Sequence, residues 1–354
     1  MKTALPDPTH GLATCFRHLP KVSRTFALAI NGLPEPLRGE VCVAYLVCRV
    51  LDTVEDAPGL LAAQRWGLME PVLTQMKTDG NPLPGFWHEE VARLLPDRSS
   101  PHDLALLRDG DSLLAAFCAC RPAARLVMAR WVTEMGKGMV EYSARMGEGE
   151  GTLKTLRTMA DLDRYCYYIA GTVGYLLTDL FFLHSSHIGQ ERFYELQADA
   201  EAFGLGLQKV NIVKDLADDV RRGWCFIPTD LLDAESLQPE AFADPSRADA
   251  VYAAVRPVLA DAAGHLGCAW RYLTNVPLEE REIRLFLAYS LFFALRTLAL
   301  VAANPGALVA PKKLKISRLE VAKIVARCQV NIGNIIAMEE AYTKEARGLQ
   351  IFKS

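Results

Sequence analysis

Between Pro122 and Pro228 the chain runs 105 residues without a proline. Proline removes a backbone donor and breaks a helix interior, so its absence over this stretch permits several long helices, and the apolar and amphipathic runs within it far outlast a strand. Asp79-Gly80 and Asp109-Gly110 are present as turn signals, but no long alternating segment flanks either. The fold class expected is all-α. Helices are predicted over about 37–56, 60–77, 101–117, 122–145, 158–184, 190–220, 248–274, 279–303 and 316–346, with ends good to a few residues. Residues 1–20 are expected to form an irregular N-terminal segment. The loops, among them Gly147-Glu-Gly-Glu-Gly151, are too short or too apolar to serve as interdomain linkers, and no repeat of roughly 20–50 residues is present. A single helical domain over 1–354 follows.

Composition narrows the function. Lys and Arg number 39 against 42 Asp and Glu, a net charge of −3, so no global positive field awaits a nucleic-acid backbone and nucleic acid is excluded as a partner. The nine cysteines are odd in number, show no C-x-x-C spacing, and mostly sit in apolar runs, which fits a reducing cytoplasm without structural zinc. The first twenty residues, with Pro6, Pro8, His10 and Arg17, lack the uninterrupted apolar stretch of a signal peptide. Leu285 to Ala303 is long and apolar enough to cross a bilayer, but Arg296 near its middle would cost about 2.5–3.5 kcal/mol there, so a core helix is the expectation.

Two acidic clusters carry the chemistry. Asp52, Glu55 and Asp56 stand at i, i+3 and i+4 and close the apolar run from Val41 to Leu51, in which only Arg49 is charged. Asp215, Asp218 and Asp219 repeat the spacing, with Asn211 one turn earlier. One such cluster would read as a solvated acidic face; two, each set in an apolar helix, call for a cation. Neither contains histidine, and bundle di-iron or di-manganese sites need Glu-x-x-His, so oxygen-only ligands point to Mg²⁺ sharing its shell with a diphosphate. A departing diphosphate leaves a carbocation that wants a dry pocket lined with π faces. Tyr165-Cys-Tyr-Tyr168-Ile-Ala-Gly171-Thr-Val173-Gly174-Tyr175 supplies aromatics and glycines on one helix, a pattern that core packing alone also produces.

Val22-Ser-Arg-Thr-Phe26, Asp52-Thr-Val-Glu-Asp56, Tyr165 to Gly171, and Gln208-Lys-Val-Asn211-Ile-Val-Lys-Asp215-Leu-Ala-Asp-Asp219 together resemble the squalene/phytoene synthase family, in that family's order and over roughly residues 20–230. The resemblance implies an all-α isoprenoid synthase fold around a central cavity, two Mg²⁺-binding acidic motifs, and head-to-head condensation of two prenyl diphosphates. It implies metal ligation by Asp52, Glu55, Asp56, Asn211, Asp215 and Asp219, and diphosphate contacts from Ser23, Arg24, Arg49, Lys214 and Arg222. Tyr165 is implied as the proton-handling residue, while Phe26, Tyr45, Tyr168, Gly171, Val173 and Gln208 belong to the substrate pocket. Arg24 and Arg49 could equally be paired with the acids as buried ion pairs.

Asp161 to Gly174 and the tail Lys315-Ile-Ser-Arg318 are similar to the branch that condenses two farnesyl diphosphates to presqualene diphosphate and reduces the rearranged cation with NADPH, with Lys315 and Arg318 as cofactor contacts. As alternatives, the two cations are plain helix-start charges and the product is of the dehydrosqualene or phytoene type; a non-catalytic assembly protein is a further alternative. Trp224 stands where the family usually has a basic residue, and no G-x-G-x-x-G marks a dinucleotide fold. A cytoplasmic protein with farnesyl diphosphate as substrate and contact with the inner face of a membrane is expected, since the product is a lipid.

Overall fold

The computed structural model describes residues 5–78, 81–146, 153–310 and 314–349; the predicted turn at Asp79-Gly80 and loop at Gly147 to Gly151 fall outside them. By contact the chain divides into two compact units, the first Met1–Glu150 with Tyr175–Ser186, the second Gly151–Gly174 with His187–Ser354.

In the first unit lie α1 (Pro8–Val22), α2 (Arg24–Asn31), α3 (Leu37–Glu55), α4 (Ala62–Gln75), α5 (Gly85–Leu94), α6 (Pro101–Arg108), α7 (Gly110–Ala119) and α8 (Pro122–Arg145). The expectation of an irregular N-terminus is corrected here, because α1 begins at Pro8. Asp7 accepts hydrogen bonds from the backbone N–H groups of Thr9 and His10, and Pro8 takes the first helical position, where a missing N–H costs nothing. The single helix predicted over 101–117 is two. Asp109 leaves helical geometry between them, and its carboxylate meets His18 Nε2 of α1 at 2.7 Å. Helix α3 packs on α1, α7 and α8, and Leu46, Val47, Val50, Leu51 and Val54 are at most 2% exposed. Burying side chains of this kind contributes roughly 1.5–3 kcal/mol each against the entropy of ordering them.

The second unit carries β1 (Lys154–Thr155), α9 (Met159–Cys166), a π-helical segment (Tyr167–Gly171), α11 (Gln190–Arg221), β2 (Trp224–Cys225), α12 (Thr229–Ala234), α13 (Ala248–Asn275), α14 (Arg281–Ala303), α15 (Arg318–Asn331) and α16 (Ile335–Arg347); α10 (Thr172–His184) has its first residues here and continues in the first unit. Helix α11 packs along α13 through Leu196, Ala200 and Phe203, whose ring meets Tyr272 edge-on at 5.5 Å. The two strands are a two-residue parallel pair, so all-α is the class observed. Helix α14 is the apolar run tested for membrane crossing; most of it is buried against α11, α13, α15 and α16. Arg296 is accounted for by Glu320 of α15, which takes its guanidinium at 2.8 and 2.6 Å. The helix predicted over 316–346 breaks after Asn331, where Gly333 opens a turn and Asn334 caps α16.

Candidate active site

In the first unit the functional side chains stand along one line of α3. Tyr45, Arg49, Asp52 and Asp56 are at i, i+4, i+7 and i+11, and all but the exposed Asp56 are partly buried. Ser23 ends α1 and caps α2, its hydroxyl accepting from the Phe26 N–H at 3.2 Å. The same hydroxyl lies in hydrogen-bonding reach of the Tyr45 phenol, and the Phe26 ring rests 5.2 Å from that of Tyr45. Arg24, exposed at the first position of α2, has no carboxylate partner among the described residues. A cation beside free helix N-terminal amides suits an anion.

Arg49 does pair with an acid, but not with its own cluster: Nε and Nη2 donate to the two carboxylate oxygens of Asp103 on α6 at 2.9 and 3.1 Å. Asp103 is itself held by the Ser100 hydroxyl at 2.6 Å. Burial works against the Arg49 charge, yet Asp103 and Asp52 hold its pKa above the ordinary value. Asp52 is left with no hydrogen-bond donor among the described residues. Burial pushes its carboxyl up to about 7; Arg49 opposes this, while Asp56 and Asp103 add to it. Glu55 departs from the line, at 3% exposure.

Sequence reasoning passed over Arg65, a wholly buried residue of α4. Its guanidinium donates to the backbone carbonyls of Glu55 at 3.0 Å, Ala57 at 2.8 Å and Leu60. These oxygens close the negative end of α3 and the turn after it, so one buried cation fixes the segment that bears the acids. A charged residue among apolar helix positions is the only signal the sequence offers for it.

In the second unit Tyr165, 3% exposed, stacks on Phe226 at 4.9 Å; Phe226 stacks on Trp224 at 5.5 Å, and the Lys154 ammonium sits 4.1 Å from the Trp224 ring centre. The parallel register that puts Lys154 beside Trp224 builds this column. Trp224 thus has a cation against its face, delivered by the other strand. Tyr168, within the π-helical segment, accepts a hydrogen bond from Arg164 at 2.8 Å. Gly174 and Gly204 are required for close approach: a Cβ on Gly174 would meet the Ala200 carbonyl oxygen at 2.0 Å, and one on Gly204 that of Ala170 at 2.2 Å. Gly171, Val173 and Gln208 lie within this same tight crossing or beside it, none of them exposed.

The second acidic cluster is neutralised by its own helix. Lys214 reaches Asn211 at 3.1 Å and Asp215 at 3.3 Å, Arg221 pairs with Asp218, and Arg222 pairs with the 5%-exposed Asp219. A shallow concavity lies against it, lined by Lys214, Asp215, Asp218, Leu308 and Ala310. Two turns back, the buried Lys209 ammonium bridges Asp163 of α9 and Asp261 of α13. Asp163, Asp261 and His265 have spacing fit for a metal, but Lys209 already supplies the cation. Burial opposes the Asp261 charge, and hydrogen bonds from His265 and Lys209 nevertheless bring its carboxyl down to about 2. Lys315 and Arg318 are exposed, on either side of Ser317, which caps α15.

The first unit thus carries hydrogen-bond donors and carboxylates on one helix line, and the second a carboxylate cluster on a long helix and a buried tyrosine in an aromatic column. The model of the squalene/phytoene synthase family matches residues 19–320, and the chain belongs to that family of prenyltransferases, with the helical fold of isoprenoid synthases. It is 30% identical to the squalene synthase of Eremothecium gossypii over 87% of this chain and 67% of that one. It is 30% identical to that of Saccharomyces cerevisiae over 83% and 62%. Among solved structures, a ligand complex of TcSQS superposes with a TM-score of 0.76 at 26% identity, covering 95% of this chain and 91% of that one. A ligand-bound dehydrosqualene synthase matches in fold with 0.62 at 17% identity, over 92% and 97%.

Proposed function

We propose that the chain is a squalene synthase, acting as one catalytic domain on two molecules of farnesyl diphosphate. The observation that carries this reading is the α3 line: Tyr45 and Arg49, with Ser23 and Arg24 at the adjoining helix start, offer donors to diphosphate oxygens, while Asp52 and Asp56 offer oxygens to a metal. Hard oxygen donors and a carboxyl without a hydrogen-bond donor fit Mg²⁺. Bound there, Mg²⁺ would withdraw charge from the diphosphate and make it a leaving group. Asp52 and Asp56 are the accessible ligands with Glu55 behind them; Asn211, Asp215 and Asp219 serve the second cluster.

In the first half-reaction a C–O bond to diphosphate breaks, the electron pair leaves with the diphosphate, and a proton is lost as the two prenyl chains join through presqualene diphosphate. Tyr165 Oη is the group assigned to that proton, its ring held by Phe226. Lys214 and Arg222, drawn from their carboxylates, take charge on the departing oxygens. Phe26 in the first unit, and Tyr168, Gly171, Val173 and Gln208 in the second, are the residues assigned to the prenyl chains. Lys315 and Arg318 are cations suited to the phosphates of NADPH, which would supply the hydride that quenches the rearranged cation once the second diphosphate has left. The names of the most similar relatives support squalene over the dehydrosqualene alternative. Incubation with farnesyl diphosphate, with and without Mg²⁺ and NADPH, tests the reading: squalene only with both is the expected product. Dehydrosqualene regardless of NADPH would remove Lys315 and Arg318 from the reaction, and no consumption of substrate would sink the assignment.

A further inference from the structure

Helix α15 is apolar on two opposite sides. Ile324 and Cys328 point into the second unit and are at most 5% exposed. On the other side Leu319, Lys323, Ala326 and Val330 follow at i, i+4, i+7 and i+11, with Ala322 beside them, and all are exposed, Leu319 at 64% and Val330 at 81%. Ile336, at the start of α16, is 71% exposed. Single exposed apolar side chains are ordinary, but Leu319, Ala326 and Val330, with Lys323 between them, line three helical turns with no partner among the described residues.

Charge distinguishes the occupants. From residue 314 to 338 the sequence has four cations, Lys315, Arg318, Lys323 and Arg327, and one carboxylate, Glu320, in a chain of net charge −3. Glu320 is engaged by Arg296 and Ser317, and Arg327 by Glu345, which leaves Lys315, Arg318 and Lys323 exposed around the row. The next acids, Glu339 and Glu340, are exposed at i+3 and i+4 from Ile336 on the same face of α16, and bound the surface there. Two-fold pairing with a second copy would bring two sets of these cations into one interface, with Glu320 already engaged on each side. A bilayer with anionic headgroups satisfies both features at once: apolar tips enter the acyl boundary while the cations stay at the phosphates.

We propose that the outer face of α15, with Ile336 at its end, is a docking surface for an anionic membrane. It requires neither substrate nor turnover, and it rests on Leu319, Val330 and Lys323, none of which is assigned to the reaction; Lys315 and Arg318, assigned above to NADPH, are not needed for it. The test is sedimentation of the full chain with vesicles of equimolar phosphatidylglycerol and phosphatidylcholine, and with phosphatidylcholine alone. The expected result is binding to the anionic vesicles that weakens with salt and falls roughly tenfold or more in the double variant L319E/V330E and in Lys323→Glu, at unchanged helicity and melting temperature. Absence of wild-type binding overturns the proposal, as does equal binding by the variants. A concentration-dependent dimer that L319E/V330E splits would overturn it too, by assigning the face to a second copy.

Discussion

The two acidic clusters share a spacing and differ in everything around it. On α11 each carboxylate has a cation from the same helix within one turn: Lys214 for Asp215, Arg221 for Asp218, Arg222 for Asp219. On α3 the one cation in line, Arg49, is committed to Asp103 on another helix, and Asp52 is left to burial, which raises its carboxyl to about 7. Identical i, i+3, i+4 patterns therefore give one cluster at electrostatic rest and one held against its charge. The α3 cluster has more to gain from a divalent cation.

Removing the acids should separate these two states. Asp52→Asn is expected to lower turnover by roughly 10²–10³ or more, the scale of lost transition-state charge stabilisation. In the metal-free protein the same change should be stabilising. The Asp52 carboxyl titrates near 7 in the fold against an ordinary 3.8, so stability falls as pH rises between those values and the full cost is carried above 7. Asp52→Asn should remove this slope and raise the melting temperature at pH 8, whereas Asp219→Asn, which takes the charge out of the Asp219–Arg222 ion pair, should lower it. Equal effects of the two in melts without metal would abolish the contrast.

Tyr165→Phe keeps the stack on Phe226 and removes only the hydroxyl, so turnover should drop roughly 10²-fold with little change in KM, as steady-state kinetics would register. Arg65→Met should cost about 3 kcal/mol in denaturant unfolding, because three carbonyls at the end of α3 lose one buried donor. That loss should weaken metal binding at the α3 cluster far more than at α11. Calorimetric titration with Mg²⁺ should show affinity rising from pH 6 to pH 8 with proton release below 7, since the metal needs the Asp52 carboxylate. The smallest effect is reserved for Arg221→Ala: an exposed pair at i, i+3 is worth about 0.2–0.5 kcal/mol, and a larger loss would mean that the α11 acids lean on their own helix more than surface pairs do.

Local pattern made most of the helices legible, and where it failed the cause is specific. Helix α1 went unread although Pro8 sits where a helix tolerates proline and Asp7 caps the turn. The break at Asp109 was hidden because its reason, a hydrogen bond with His18, comes from 91 residues away. In the site, the acids and tyrosines are visible as spacing, but Arg65 carries no motif at all.

What the sequence by itself determined is periodic and local: the all-α class and the spacing of the two carboxylate clusters. Only the tertiary structure decided which acid is desolvated, that Arg49 serves Asp103, that Phe226 and Trp224 form the column behind Tyr165, and that the cation between Asp163 and Asp261 is a lysine. The physical reason is range. A helix fixes neighbours three and four residues apart through its own hydrogen bonds, whereas desolvation and ion pairing depend on atoms that only the folded packing brings within a few ångströms.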